Sequence, residues 1–369
     1  MTNDLYTDRL SVGYDGRPLI EDIRLKVQRG EIMTLIGPNG AGKSTILKTL
    51  SRQLAPIAGA VYLDNRPIGR MEDRELAQKL SIVTTERINP ELMTCWDVVS
   101  TGRYPYTGRL GLLSQEDRQI VMESLARVHG EELAKQPFSC IGDGQRQRVL
   151  LARALCQQPE VILLDEPTSF LDIRHKLELL DILKRLVREQ RLSVVMSLHE
   201  LDLAQKISDT VVCVHGDRID RCGPPEEIFT ESYIHSLYGL TAGSYDALFG
   251  CVELEPVRGT PQVFVIGGGG SGIPVYRRLQ RLGIPFAAGI LHENDLDDPV
   301  ARKLAAELVE EKAYEPISDA TFSRALGVLE HCEKVVCTLP SFGTFNTANR
   351  KLWEAADAAG KQVDWLQII

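Results

Sequence analysis

The chain opens with short alternating segments. Residues 5–12 and 20–27 set apolar against polar positions in a way that predicts antiparallel strands. The pattern then changes. Residues 32–36, Ile-Met-Thr-Leu-Ile, form a compact apolar run that predicts a buried strand. A glycine-rich turn follows, and residues 45–54 have helical spacing. Further on, 161–164 reads as a second buried strand, 176–190 as a helix and 192–197 as a third strand. Strands alternating with helices predict βαβ units and a largely parallel sheet.

At 252–260 the pattern lapses into a mixed stretch with Pro256 and Gly259, close to Pro261, which predicts a linker. Past it the alternation restarts. Strands are expected at 263–266, 286–291, 334–339 and 363–366, with helices at 273–282, 299–311 and 346–359. The expected organisation is therefore two α/β domains, 1–255 and a smaller one at 260–369.

Composition narrows the classes. With 369 residues, 43 % hydrophobic and 25 % charged, the chain has a globular balance, which excludes a mainly disordered protein. A net charge of −9 argues against a nucleic-acid partner held by bulk charge. The eight cysteines include no C-x-x-C pair, so neither a zinc knuckle nor a dithiol motif is readable, and reduced thiols are expected. The first residues lack a basic segment followed by an apolar one, so no export signal is expected. The longest uncharged run, 259–276, is broken by glycines and two prolines, whereas a spanning helix needs about 20 apolar residues. A soluble chain is expected, with any membrane spans supplied by a partner.

Gly37-Pro38-Asn39-Gly40-Ala41-Gly42-Lys43-Ser44 fits G-x-x-x-x-G-K-S/T between an apolar strand and a helix. Glycines let backbone N–H groups turn towards phosphate oxygens, and the helix N-terminus adds partial positive charge. Lys43 is expected to reach the β- and γ-phosphates and the Ser44 hydroxyl to ligate Mg²⁺. Strand 161–164 ends in Asp165 and Glu166. Paired acids at the end of a buried strand need a cation or a proton to manage. Asp165 is placed to hold the metal through water, and Glu166 to polarise an attacking water.

With these motifs, residues 1 to about 250 resemble the nucleotide-binding subunits of ABC transporters. The resemblance implies a P-loop ABC ATPase fold, with an antiparallel β subdomain, a parallel core sheet and a helical subdomain. It also implies ATP and Mg²⁺ as ligands. It places Tyr14 against adenine and extends the phosphate-binding set to Thr45. It makes Ile141-Gly142-Asp143-Gly144-Gln145 the signature that closes onto ATP held by the opposite subunit, Asp172 part of the D-loop and His199 the switch histidine. Two positions depart from the family pattern. Gly142 stands where serine is usual, removing a hydrogen bond to phosphate of about 1.5–3 kcal/mol. Thr85, next to Glu86, stands where a metal-sensing glutamine is usual, and either residue can take that role.

The segment Asn89-Pro90-Glu91 to Thr94, with Asp97-Val98-Val99 and Thr101-Gly102-Arg103-Tyr104-Pro105-Tyr106, resembles the importers of iron–siderophore, haem and cobalamin. The resemblance implies a second copy of the chain, integral-membrane permease subunits, indirect contact with an extracytoplasmic binding protein, and a peripheral place on the cytoplasmic face of the inner membrane. One phosphate loop and one signature per chain point to a homodimer.

Gly267-Gly268-Gly269-Gly270-Ser271-Gly272 fits G-x-G-x-x-G after a strand and before a helix. Glu293 and Asp295 follow where a dinucleotide fold places its ribose acid. Gly267, Gly269, Gly272 and Glu293 are therefore a candidate second ligand site in a Rossmann-like unit, with Ser341, Thr344 and Asn346 expected along the same crevice. Two functional readings stand at this point. One is an ATPase powering import. The other is a weakly hydrolysing regulator whose C-terminal unit binds a metabolite or nucleotide.

Overall fold

The computed structural model describes residues 3–86, 90–108 and 111–367. They divide into two units, Met1–Tyr238 and Gly239–Ile369. The first unit begins with β1 (Asn3–Tyr14), β2 (Arg17–Ile23) and β3 (Lys26–Gln28). The single strand expected at 20–27 is thus two. β2 pairs with residues 10–14 of β1, and β3 with residues 3–6. Between them Leu25 is pinned by Thr7, whose hydroxyl accepts from Leu25 N–H at 2.8 Å while Thr7 N–H donates to Leu25 O at 3.0 Å.

Then come β4 (Ile32–Ile36), α1 (Lys43–Leu50), β5 (Ala58–Leu63), β6 (Arg66–Pro67), α2 (Asp73–Lys79) and β7 (Leu80–Val83). Three helices, α3 (Cys95–Ser100), α4 (Gln115–Arg127) and α5 (Asp143–Cys156), pack on one another. The first two start at reciprocal caps, Thr94 with Asp97 and Ser114 with Asp117. The unit finishes with β8 (Val161–Leu164), α6 (Ile173–Gln190), β9 (Ser193–Ser197), α7 (Leu201–Ile207), β10 (Thr210–His215), β11 (Arg218–Gly223), α8 (Pro225–Ile228) and α9 (Glu231–Tyr238).

β1, β2, β3, β5 and β6 make an antiparallel sheet. The core sheet has the order β11-β10-β4-β9-β8-β7 and is parallel from β10 to β7. β4, β8 and β9 are buried at every position, because both of their faces are covered. Their adjacency brings the segments after residues 36, 164 and 197 to one edge of the sheet. That edge carries the chemistry.

The second unit opens with a hairpin, β12 (Ser244–Asp246) and β13 (Cys251–Glu253). The division of the chain therefore precedes the expected linker. Asp246 pairs with Lys303 at 3.0 Å and Glu253 with Arg277, which ties the hairpin to the unit that follows. Next come β14 (Val263–Ile266), α10 (Ile273–Arg281), β15 (Phe286–His292), α11 (Asp298–Leu304), β16 (Glu307–Glu311), α12 (Asp319–His331), β17 (Lys334–Cys337) and α13 (Thr347–Ala358). The parallel order β16-β15-β14-β17 is that of a Rossmann half, with separate hydrophobic clusters on its two faces.

Two expectations fail here and one element is new. The helix expected at 299–311 ends at Leu304, and its second half is strand β16. Ala306 N–H donates to Phe286 O at 2.9 Å, so pairing with β15 overrides the helical propensity of Ala-Ala-Glu-Leu. Helix α12 was not anticipated. Residues 363–366 form no strand; a single bridge joins Gln362 to Val335, and a short 3₁₀ turn covers Trp365–Gln367.

Candidate functional site

The turn after β4 is shaped by glycines that no other residue replaces. Gly37 has φ +143°, and a Cβ there would stand 2.2 Å from the carbonyl oxygen of Val214. Gly42, at φ +95°, is the N-cap of α1, and a Cβ would meet Ile20 at 2.7 Å. Lys43 heads α1, and its Nζ donates to the carbonyls of Gly37 and Pro38 at 2.7 and 3.0 Å. The ammonium is therefore held at the mouth of the turn that Pro38, Asn39, Gly40 and Ala41 complete. Burial pulls the Lys43 pKa down, and the nearby charges of Glu166 and Asp165 push it back up.

At the end of β8, Asp165 is 5 % exposed and accepts from two hydroxyls, Ser44 at 3.0 Å and Ser197 at 2.8 Å. The Ser197 oxygen in turn accepts from Glu166 N–H at 2.9 Å. Glu166 has φ +46°, a left-handed conformation that costs a residue with a Cβ about 1–2 kcal/mol. It is held there by the Ser197 bond, by Ser169 Oγ donating to its Oε2 at 3.0 Å, and by a short contact between its Oε1 and His199 Nε2. Strain of this kind collects where a side chain must be aimed. Four sequence candidates, Ser44, Asp165, Glu166 and His199, are thus linked through Ser197 in one hydrogen-bonded chain, and the Lys43 charge lies close enough to feel Glu166 and Asp165.

The other candidates lie around it. Tyr14, half exposed at the end of β1, reaches the Thr45 hydroxyl at 3.3 Å. Thr85 and Glu86 line a crevice with Asp143, Asp165 and Glu166. Glu86 pairs with Lys48 at 3.4 Å. Asn89 lies outside the described residues. Gly142 caps α5, its N–H donating to Gln145 Oε1 at 3.2 Å. At Gly144 a Cβ would fall 2.4 Å from the His175 ring, so any larger residue would require that side chain to move. His175 is itself held by Asp172, whose Oδ1 accepts from its backbone N–H and contacts Nδ1, both at 2.9 Å. Signature and D-loop candidates share a cavity of about 790 Å³.

Two contributors were not anticipated. Ser197 carried the same signal as Asp165, a polar residue ending an apolar strand. Tyr238 carried none: its hydroxyl accepts from Gly37 N–H at 3.2 Å across 201 positions of sequence. Burial pushes that phenol up to about 12, so it stays neutral.

The importer-like segment divides in two. Gly102 has no room for a Cβ, which would lie 2.3 Å from Arg153 O. Arg103 is buried on Asp117 at 2.9 Å and on Cys156 O. Both serve internal packing. Tyr104, 65 % exposed, lines a groove of about 590 Å³ with Arg52, Leu76, Leu80 and Gln157.

In the second unit the glycine motif does not fit a nucleotide phosphate. Gly269 N–H donates to both oxygens of Asp295 at 2.9 and 3.0 Å. Gly272 and Ile273 N–H groups donate to Asp297 at 2.9 and 3.2 Å. The donors a pyrophosphate would need are taken by carboxylates, whose charge repels another anion. Gly267 and Gly272 are glycine because a Cβ would strike the Tyr276 hydroxyl at 2.6 and 2.4 Å. Glu293 faces away, accepting from Ala313 N–H at 3.4 Å. Of the loop after β17, Thr338 reaches Ser271 at 2.8 Å, while Asn346 bonds Gly343 and Thr344 lines a different pocket.

Comparison with known proteins shows the family. The ABC transporter family profile matches residues 20–169, and the MJ0874 family profile matches 286–367. An uncharacterized ABC transporter ATP-binding protein, MJ0873 of Methanocaldococcus jannaschii, is 43 % identical over 74 % of this chain and 95 % of its own length. The iron(3+)-hydroxamate import ATP-binding protein FhuC of Bacillus subtilis is 38 % identical over 65 % of this chain and 89 % of its own. The cobalamin import ATP-binding protein BtuD of Halobacterium salinarum is 31 % identical over 323 residues, 86 % of this chain and 81 % of its own, a span longer than the first unit. Among solved structures, the dimeric ABC transporter cassette MJ0796 is 27 % identical and superposes with a TM-score of 0.53 over 60 % of this chain and 98 % of that one. CbiO1 of Clostridium perfringens, part of an ABC transporter complex, is also 27 % identical, with a TM-score of 0.56 over 64 % and 94 %. The phosphate turn, the acids that end β8 and these likenesses together make the chain a member of the ABC transporter ATP-binding proteins, an ABC ATPase with an additional C-terminal unit.

Proposed function

We propose that the chain hydrolyses ATP as the motor subunit of an importer for an iron chelate or cobalamin, working as a pair of copies against a membrane permease. The observation that carries the reading is the hydrogen-bonded chain Ser44–Asp165–Ser197–Glu166–His199, with the Lys43 ammonium held beside it on the carbonyls of the glycine turn. ATP phosphates fit the turn of glycine N–H groups and Lys43. Glu166 accepts the proton of a water whose oxygen bonds to the γ-phosphorus, as the bond from that phosphorus to the bridging oxygen breaks. His199, on Glu166, orients that carboxylate. An all-oxygen pair, the Ser44 hydroxyl and the Asp165 carboxylate, suits Mg²⁺, which would offset phosphate charge there.

The import substrates come from the relatives, FhuC and BtuD, whose own names carry them. A second copy is favoured by the exposed apolar residues Phe170, Ile173 and Leu177, at 79, 77 and 55 %, beside the D-loop. The groove bearing Tyr104 suits a short helix of the permease. Among the described residues no helix is long and apolar enough to cross a membrane; in this reading the permease supplies the spans and the chain works at its cytoplasmic face. The regulatory alternative, a weakly hydrolysing chain whose C-terminal unit binds a metabolite or nucleotide, gains nothing from the second glycine loop, where Asp295 and Asp297 accept from the loop N–H groups.

The test is Mg²⁺-dependent phosphate release by the purified chain, with Glu166→Gln and ATP then assayed by light scattering. Accumulation of an ATP-bound dimer is expected. A chain that stays monomeric with ATP and Mg²⁺ overturns the reading.

A further inference from the structure

We infer that the second unit carries a small-molecule site between the starts of α12 and α13, fitted to a compact amphipathic anion, an apolar ring or short chain bearing one carboxylate. The cavity there measures about 440 Å³, within the roughly 300–1,000 Å³ usual for small ligands. Both helices begin at the carboxyl ends of parallel strands, where open α/β sheets take their ligands. The usual alternative at that edge, the glycine loop after β14, is filled by the unit's own carboxylates.

The lining sets the chemistry. Ile317, Phe322, Phe345 and Ala348 supply an apolar surface, and Phe345 is 68 % exposed. Lys351 stands one turn along α13 from Thr347 and Ala348, so the three share a face. It forms no ion pair or hydrogen bond among the described residues. The start of α13 lacks a side-chain cap, because Asn346 Oδ1 accepts from Gly343 N–H instead, at 2.6 Å. The Thr347 hydroxyl is likewise committed, donating to the carbonyls of Gly343 and Thr344. An ammonium and an uncapped helix start therefore lie on one wall. The opposite wall differs: α12 is capped by Ser318 onto Thr321 N–H at 3.2 Å and begins with Asp319. A bound acid is attracted to the α13 side and repelled from the α12 side, which fixes its orientation.

The probe is 1-anilinonaphthalene-8-sulfonate, an aromatic anion, titrated by fluorescence into the full-length chain, with N-phenyl-1-naphthylamine as its neutral counterpart. Saturable one-to-one binding of the anion is expected. Lys351→Gln should weaken it at least about fivefold and leave the neutral probe unchanged, which a merely structural change would not do. Ala348→Trp, which fills the cavity, should abolish binding of both probes, and Lys43→Ala should alter neither. The inference is overturned by an absence of saturable binding, by indifference to Lys351→Gln, or by an equal loss of both probes in that variant. None of these outcomes depends on whether the chain hydrolyses ATP.

Discussion

Restoring a hydroxyl at the signature gives a gain-of-function test. Gly142 sits at φ −70° and ψ 163°, the extended geometry of an N-cap, and a Cβ there meets nothing within 4 Å. Gly142→Ser therefore adds an oxygen without strain. In the single chain its effect is small, a few tenths of a kcal/mol of better capping over glycine. In the closed pair each hydroxyl gains a hydrogen bond to a charged phosphate, about 1.5–3 kcal/mol. A symmetric dimer has two such sites, so closure should strengthen by about 3–6 kcal/mol, or roughly 10²- to 10⁴-fold. Sedimentation equilibrium with ATP and Mg²⁺ compares Glu166→Gln alone with the Glu166→Gln, Gly142→Ser pair, since the first substitution stops turnover. Equal dimerisation constants would refute the assignment of Gly142 to the phosphate-facing position, and a rise without ATP would show that capping, not phosphate, is responsible.

Tyr238→Phe leaves the buried Gly37 N–H without its acceptor, a loss of about 1–3 kcal/mol. The KM for ATP should rise several-fold or more with kcat little changed, whereas a lower Tm at constant KM would reduce Tyr238 to a packing role. Glu311 accepts from the N–H groups of Ser318 and Lys312, which hold its pKa down to about 2. A carboxyl depressed below its unfolded value of about 4.5 stabilises above that pH and loses the effect as pH falls towards 2. Carbon-detected titration should place Glu311 near 2, and Glu311→Gln should flatten the acid limb of stability. Finally, NAD⁺ or pyrophosphate added to the Lys43→Ala chain should not raise its melting temperature. A ligand at 100 times its Kd would add about 2.7 kcal/mol, so a clear shift would contradict the filled glycine loop.

Much of the proposed ATP site is legible in the primary structure because its chemistry is local. The glycine turn needs successive N–H groups and one lysine, and these are contiguous from Gly37 to Ser44. The acids Asp165 and Glu166 end a run whose apolar character already marks a covered strand. What stayed hidden was the partnering. Pairing of β8 with β9 decides that Ser197 joins Asp165 to Glu166, and the packing of α9 back on the glycine turn, 201 positions away in sequence, decides that Tyr238 meets Gly37. The second glycine motif makes the same point from the other side. Its spacing, strand and helix were all in place, and the strand order is that of a dinucleotide fold. Yet a G-x-G-x-x-G pattern records only where backbone N–H groups are free to turn, not what accepts from them. In this chain the acceptors are Asp295 and Asp297, brought over the loop by the return of the next strand. Local spacing therefore determined which backbone is bent and which acids end strands, while the tertiary fold alone decided which donors face a ligand and which are already satisfied within the protein.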